Sequence, residues 1–309
     1  MNPYWGANFF EFFGHLFSRL FSWSGGIQTD EVQIGVLALS AISCGLVGPF
    51  LVLKRMAMFA NSLSHTILIG MVGAYLLASS LWGGNWFDLS TLLIGALAAA
   101  LITAFLTEGL VRLFRLQEDA SVGLVFTALF ALGILMASVF TRDLHLGVEA
   151  VMGNADALLP SDFWLVLQLL GINAAVILVF YRSFRLMCFD MGFARSIGMK
   201  CGLCHFLLLF LAALTCVGAF RAIGVLLVLA FLVGPYLTAR LFCRTLPQIL
   251  FWSPVIGVAA SLIGVALARH LLSQFGWALS TGGIVVCLIG IIYLVGVQIN
   301  RFTLRRRIC

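Results

Sequence analysis

Charge is what this sequence has least of. Its 309 residues include 18 Lys and Arg and 12 Asp and Glu, or 10% charged, against about 25% in a soluble domain. So few charges cannot furnish a polar surface, which excludes a water-soluble globule: over much of its area the solvent is lipid. Other absences narrow the class. The period-two alternation of a membrane β-barrel, in strands of about 10 residues, does not occur. There is no GxxxxGK[ST], so the chain does not bind ATP through a P-loop. No basic stretch followed by a small-residue cleavage site opens the sequence, so no cleaved signal is expected. The eight cysteines form no disulfide framework, and Cys44, Cys216 and Cys287 fall in apolar runs and read as small buried hydrophobes. No long Pro/Ser linker and no soluble domain stands out. No Ser–His–Asp set or carboxylate pair falls within a span, which argues against an intramembrane hydrolase.

What is present is apolar sequence, 62% of the chain, in runs of about 20 residues that cross about 30 Å of hydrocarbon as helices. Nine spans are predicted, at 33–53, 59–80, 91–113, 121–141, 163–182, 203–220, 223–241, 250–272 and 280–299; the tight pair 203–241 leaves eight as the other count. The fold class is all-α, a polytopic membrane bundle. Alternate connections hold Lys54 and Arg55; Arg112 and Arg115; Arg182, Arg185, Arg195 and Lys200; Arg240 and Arg244; and Arg301, Arg305, Arg306 and Arg307. The intervening connections hold Arg142, Arg221 and Arg269 and most acids, among them Asp30, Glu31, Asp143, Glu149, Asp156 and Asp162. By the positive-inside rule the first set is cytoplasmic, and so is the C-terminus. The formal charge of +6 is therefore topology and implies no nucleic-acid partner. Three stretches divide the chain: an aromatic N-terminal segment, 1–30; a transmembrane domain, 31–300; and a basic cytoplasmic tail, 301–309. In the first, Glu11, His15 and Arg19 recur every four residues and place charge on one face of a helix, read as lying at the outer interface, with a tenth span as the alternative.

Two stretches carry chemistry. In KRMAMFANSLSHTILIG, 54–70, Asn61 and His65 stand four apart on one helical face, one to three turns inside the membrane. An imidazole nitrogen and a carboxamide oxygen are both plausible metal ligands, and an ionisable group in a span is a functional hypothesis by default. The other reading is a histidine hydrogen-bonded to a neighbouring helix as packing glue. In RLMCFDMGFARSIGMK, 185–200, Phe189, Met191, Phe193 and Ile197 mix with Asp190, Arg195 and Lys200. Such a segment either docks into a partner's groove or lies on the inner leaflet. Outside these, His145 and His270 with the outer acids either receive metal or are solvated loop residues. Glu108 reaches water or pairs with Arg112, one turn on. CGLCH, 201–205, matches the covalent-haem pattern but lies on the wrong side for that attachment, and is read as chance.

Four segments together resemble the permease subunits of bacterial metal-ion importers of the ABC-3 family, over about 33–299. LVLKRMAMFANSLSHTILIG is similar to that family's second-helix signature, a basic pair, then an acid, then His four positions on. FDMGFARSIGM resembles its coupling segment, which implies that Phe189, Asp190, Phe193, Ala194 and Gly198 seat on a separate ATPase. GAFRAIGVLLVLAFLVGPYLTARLF resembles its Gly-rich late helices, with Pro235 as a kink and hinge. ALSTGGIVVCLIG looks like the start of its last helix, with Ser280 in place of the usual Pro. The resemblance implies an inner-membrane permease and transported zinc, manganese or iron. It implies ATPase subunits, a metal-binding lipoprotein outside and a second permease, like or unlike, with the second-helix ligands near the dimer axis. It implies His65 and Asn61 beside the metal path and no permanently bound cofactor. Asn61 replaces the signature's acid, and a carboxamide attracts a dication less than a carboxylate, so a different partner permease is expected to supply the missing charge. The rival readings are a secondary transporter driven by an ion gradient, which usually keeps acids or broken helices near mid-membrane, and a redox subunit resting on CGLCH alone.

Overall fold

The computed structural model describes residues 9–22, 28–82, 89–140 and 155–308, and these are helical apart from short connections. In chain order the helices are α1 (Phe9–Ser22), α2 (Thr29–Leu53), α3 (Ala57–Trp82), α4 (Leu89–Phe114), α5 (Glu118–Phe140), α6 (Pro160–Phe189), α7 (Met191–Ser196), α8 (Cys201–Ile223), α9 (Val225–Phe242), α10 (Leu246–Phe275) and α11 (Thr281–Ile308). Among the described residues, nine of these, all but α1 and α7, are long and apolar enough to cross a membrane. Every predicted span falls on one of the nine. The tight pair is two helices: α8 ends at Ile223, Gly224 (φ 86°) turns the chain, and α9 begins at Val225.

Two boundaries differ from the expectation. The fifth span was expected to end near 182, yet α6 runs on to Phe189. The ninth was expected to end near 299, yet α11 continues through the basic tail to Ile308. Arginine marks where hydrocarbon stops, but its long stem reaches water without breaking the helix, and nothing in either stretch caps the backbone.

The chain gathers into two compact units. One contains the described residues within 1–49, 154–170 and 222–309. In it α9, α10 and α11 pack on one another, and α1 lies against α10. Two ion pairs lie within it: Arg19 meets Glu31 at 2.9 Å, and Arg269 meets the fully buried Asp30. The other unit contains the described residues within 50–153 and 171–221, and there α3 packs against both α4 and α5. The closest approach is at Gly70 and Gly95. A Cβ on either would run into the carbonyl of the other, so the α3 and α4 backbones touch where neither carries a side chain.

Large apolar side chains point away from the packed chain on both units, Leu178, Val179, Leu226 and Ile94 among them. In water this would be an aggregating surface; in lipid it matches its solvent. Cys287 belongs with them. It is exposed, whereas its apolar run suggested burial, because a lipid-facing position is as apolar as a core one. Cys44 and Cys216 are buried as expected.

Candidate functional site

The turn before α3 sets the register of the second-helix stretch. Arg55 adopts a left-handed conformation (φ 61°), Met56 N–H donates to Leu51 O at 2.9 Å, and Arg55 N–H donates to Val52 O at 3.0 Å. These are the two bonds that close a helix C-terminus of this type. The basic pair therefore ends α2, and α3 starts at once. Asn61 lies on its exposed surface and His65, one turn on, is half-buried. The Asn61 carbonyl accepts the Ser64 hydroxyl at 2.6 Å. The imidazole of His65 rests against two rings of α5, Phe126 and Phe130, with centroids 5.3 and 5.2 Å away. Those two rings are stacked on each other, being four residues apart on one face of α5. The packing reading of His65 thus takes an aromatic form rather than a hydrogen-bonded one. Sequence alone did not bring α5 to this site; the signal was the Phe–Phe spacing, but its target was invisible.

Among the described residues, no three His, Cys, Asp or Glu side chains converge on one point. Here α3 offers one nitrogen and one carboxamide oxygen, short of the four donors of a closed transition-metal cage.

The predicted coupling stretch is split. Residues 185–189 finish α6, and 191–196 form α7. Asp190 between them is extended (φ −146°), and its carboxylate accepts Phe193 N–H at 2.8 Å, an N-cap worth about 1 kcal/mol. Gly198 (φ 82°) turns the chain back. Ala194 is fully buried, while Phe189, Phe193 and Ile197 are 67%, 53% and 59% exposed. The short helix thus rests on its alanine and presents Phe193, with Ile197 at its C-terminal end and Phe189 at the end of α6 as further exposed apolar knobs. Pro235 lies buried inside α9, where it removes one helical donor from the ladder.

The acids expected on the outer side are structural where they are described. Asp156 accepts Gln33 Nε2–H at 3.2 Å and both the N–H and the hydroxyl of Thr281 at the start of α11. Asp162 is buried and accepts Leu159 N–H at 2.9 Å, holding the first turn of α6. Neither is a solvated loop residue: each closes a helix end that the apolar interior would leave unpaired. His270 is part of α10, half-buried, rather than part of a loop. Asp143, His145 and Glu149 lie outside the described residues.

Glu108 does pair with Arg112, and it has a second partner that the sequence reading missed. His205 Nε2 lies 2.9 Å from Glu108 Oε2. The histidine of CGLCH is therefore engaged, and Cys201 and Cys204 are buried free thiols in the first turn of α8.

The family model described as the ABC 3 transport family matches residues 29–300. The probable metal transport system membrane protein of Chlamydia muridarum is 41% identical, over 95% of this chain and 93% of that one. The manganese transport system membrane protein MntD of Bacillus subtilis is 36% identical, over 78% and 83%. Among solved structures, PsaBC from Streptococcus pneumoniae in complex with Fab aligns with a TM-score of 0.72 at 22% identity, over 92% of this chain and 95% of that one.

Proposed function

The chain belongs to the ABC 3 transport family, and from that premise we propose that it is the permease subunit of an ATP-driven importer of divalent transition-metal ions. It is a multi-pass membrane protein, not an enzyme. In this reading it resides in a bacterial inner membrane with its C-terminus in the cytoplasm, where the basic connections are. The match across nearly the whole transmembrane region carries the proposal. Relatives named for metal and manganese transport supply the class of cargo.

The residues take roles that their chemistry supports. His65 and Asn61 line the metal path as transient ligands. Two donors hold an ion weakly enough to release it, which a conduit needs and a storage site does not. The exposed Asn61 faces a second permease, which adds further donors. Its exposure on the single chain supports that placement. A metal-binding lipoprotein delivers the ion outside. The apolar knobs Phe189, at the end of α6, and Phe193, on α7, seat on an ATPase subunit, with Asp190, Ala194 and Gly198 holding α7 in shape. ATP binding there rocks the bundle, with Pro235 as the place where α9 yields. A gradient-driven carrier is not favoured, because the acids near span ends here are paired with Arg19, Arg112 and Arg269.

The experiment is reconstitution of the chain with an ATPase subunit, a metal-binding protein and a second permease from the same organism, assaying ATP hydrolysis ion by ion. Stimulation by manganese, iron or zinc with matching uptake is expected. Uptake that proceeds without ATP would refute the proposal.

A further inference from the structure

Glu108 holds two nitrogen partners at once, a guanidinium and an imidazole. One carboxylate oxygen accepts Arg112 Nε–H from the next turn of α4, and the other meets His205 Nε2 in the second turn of α8 at 2.9 Å. Glu108 and His205 are largely withdrawn from solvent, and Arg112 is half-exposed. The guanidinium also lies over Gly202, where a Cβ would strike it. The end of α4 and the first two turns of α8 are thus clasped through side chains. An apolar contact is non-directional and can slide. A charge-assisted bridge has narrow geometry, and parting it would strand a carboxylate in an apolar span.

The clasp has firm neighbours on both sides. Upstream, α7 reaches α8 through residues 197–200 without slack: Gly198 N–H donates to Arg195 O at 3.0 Å, Met199 N–H to Ala194 O at 3.1 Å, and Cys201 N–H to Met199 O at 2.8 Å. Downstream, α4 meets α3 backbone to backbone at Gly70 and Gly95, and α3 carries His65. All of these residues belong to one compact unit.

We propose that the Arg112–Glu108–His205 bridge is the link that makes α7, the start of α8 and the end of α4 move as one piece, so that displacement at the coupling segment reaches the helix bearing His65. The three are positioning residues: they touch neither cargo nor nucleotide. The proposal rests on the reading of 185–200 as the ATPase seat.

The test uses the full reconstituted complex and measures metal taken up per ATP hydrolysed. Glu108→Gln removes the carboxylate charge and His205→Gln removes the imidazole, each with little change in size. Each is expected to lower that ratio about 2- to 30-fold, the span expected when a coupling element is lost, while hydrolysis stays near the wild-type rate. The double variant is expected to be no worse than the worse single, because both break the same bridge. Should the single variants fail to assemble, Glu108→Leu with His205→Leu removes both buried members and leaves only the half-exposed Arg112, whose head reaches water, and is expected to give the same fall. A ratio that stays at the wild-type value, or uptake and hydrolysis falling in step, overturns the link while leaving the transport reading intact. Wild-type complex that takes up metal without hydrolysing ATP overturns both.

Discussion

At the scale of single residues, His65 and Asn61 were legible because their spacing of four survives any tertiary arrangement. What surrounds them was not: Phe126 and Phe130 lie on another helix, and periodicity within one segment says nothing about which helix will face it. Glu108 and His205 escaped for the same reason, since each looks ordinary until α4 and α8 are side by side. Cys287 makes the complementary point, that in lipid an apolar run does not separate core from surface. Two outcomes test the α3 pair. His65→Ala is expected to lower uptake at least about 100-fold, the scale of losing a metal-positioning group, with the ATPase still copurifying; wild-type uptake would refute the role. Asn61→Asp is expected to change half-saturation for metal by about 10-fold, since it adds a charge beside the path. An unchanged uptake curve would place Asn61 away from the ion.

At the scale of elements, all nine spans could be read from hydropathy, and the ends could not. Residues 183–189 continue α6 and 301–308 continue α11 because basic side chains do not stop a helix; a cap does. Asp190 is such a cap, and α7 begins where its carboxylate meets Phe193 N–H. Replacing Asp190 with Ala is expected to cost about 1 kcal/mol locally, enough to fray a helix of six residues. Affinity for the ATPase would then fall about fivefold, measured by titrating detergent-solubilised permease with ATPase. Asp190→Ser keeps an acceptor and is expected to restore most of it. Equal binding by all three forms would mean that the partner does not need α7 preformed.

At the scale of the whole molecule, the sorting of basic and acidic connections predicts which end faces which side. A reporter fused after Cys309 that works only in the cytoplasm is expected to be active, and one that works only outside the inner membrane is expected to be silent. The reverse result would invert every assignment of side made above. The buried charges of the structure show why an orientation can be predicted from sequence when pairing cannot. Which connections are basic can be counted along the chain, whereas the partner of Asp30 lies on a helix made much later.

That separation bears on how the protein is made. Asp156 joins Gln33, 123 residues before it, to Thr281, 125 residues after it. At about 5–20 residues per second, each interval takes about 6–25 s. Throughout the second interval the ribosome is still translating, and neither bond from Thr281 to Asp156 exists. Closure of this unit is therefore a late event, completed only as α11 leaves the insertion machinery. A nascent chain arrested before that helix would display an unfinished polar joint to the cell's membrane proteases.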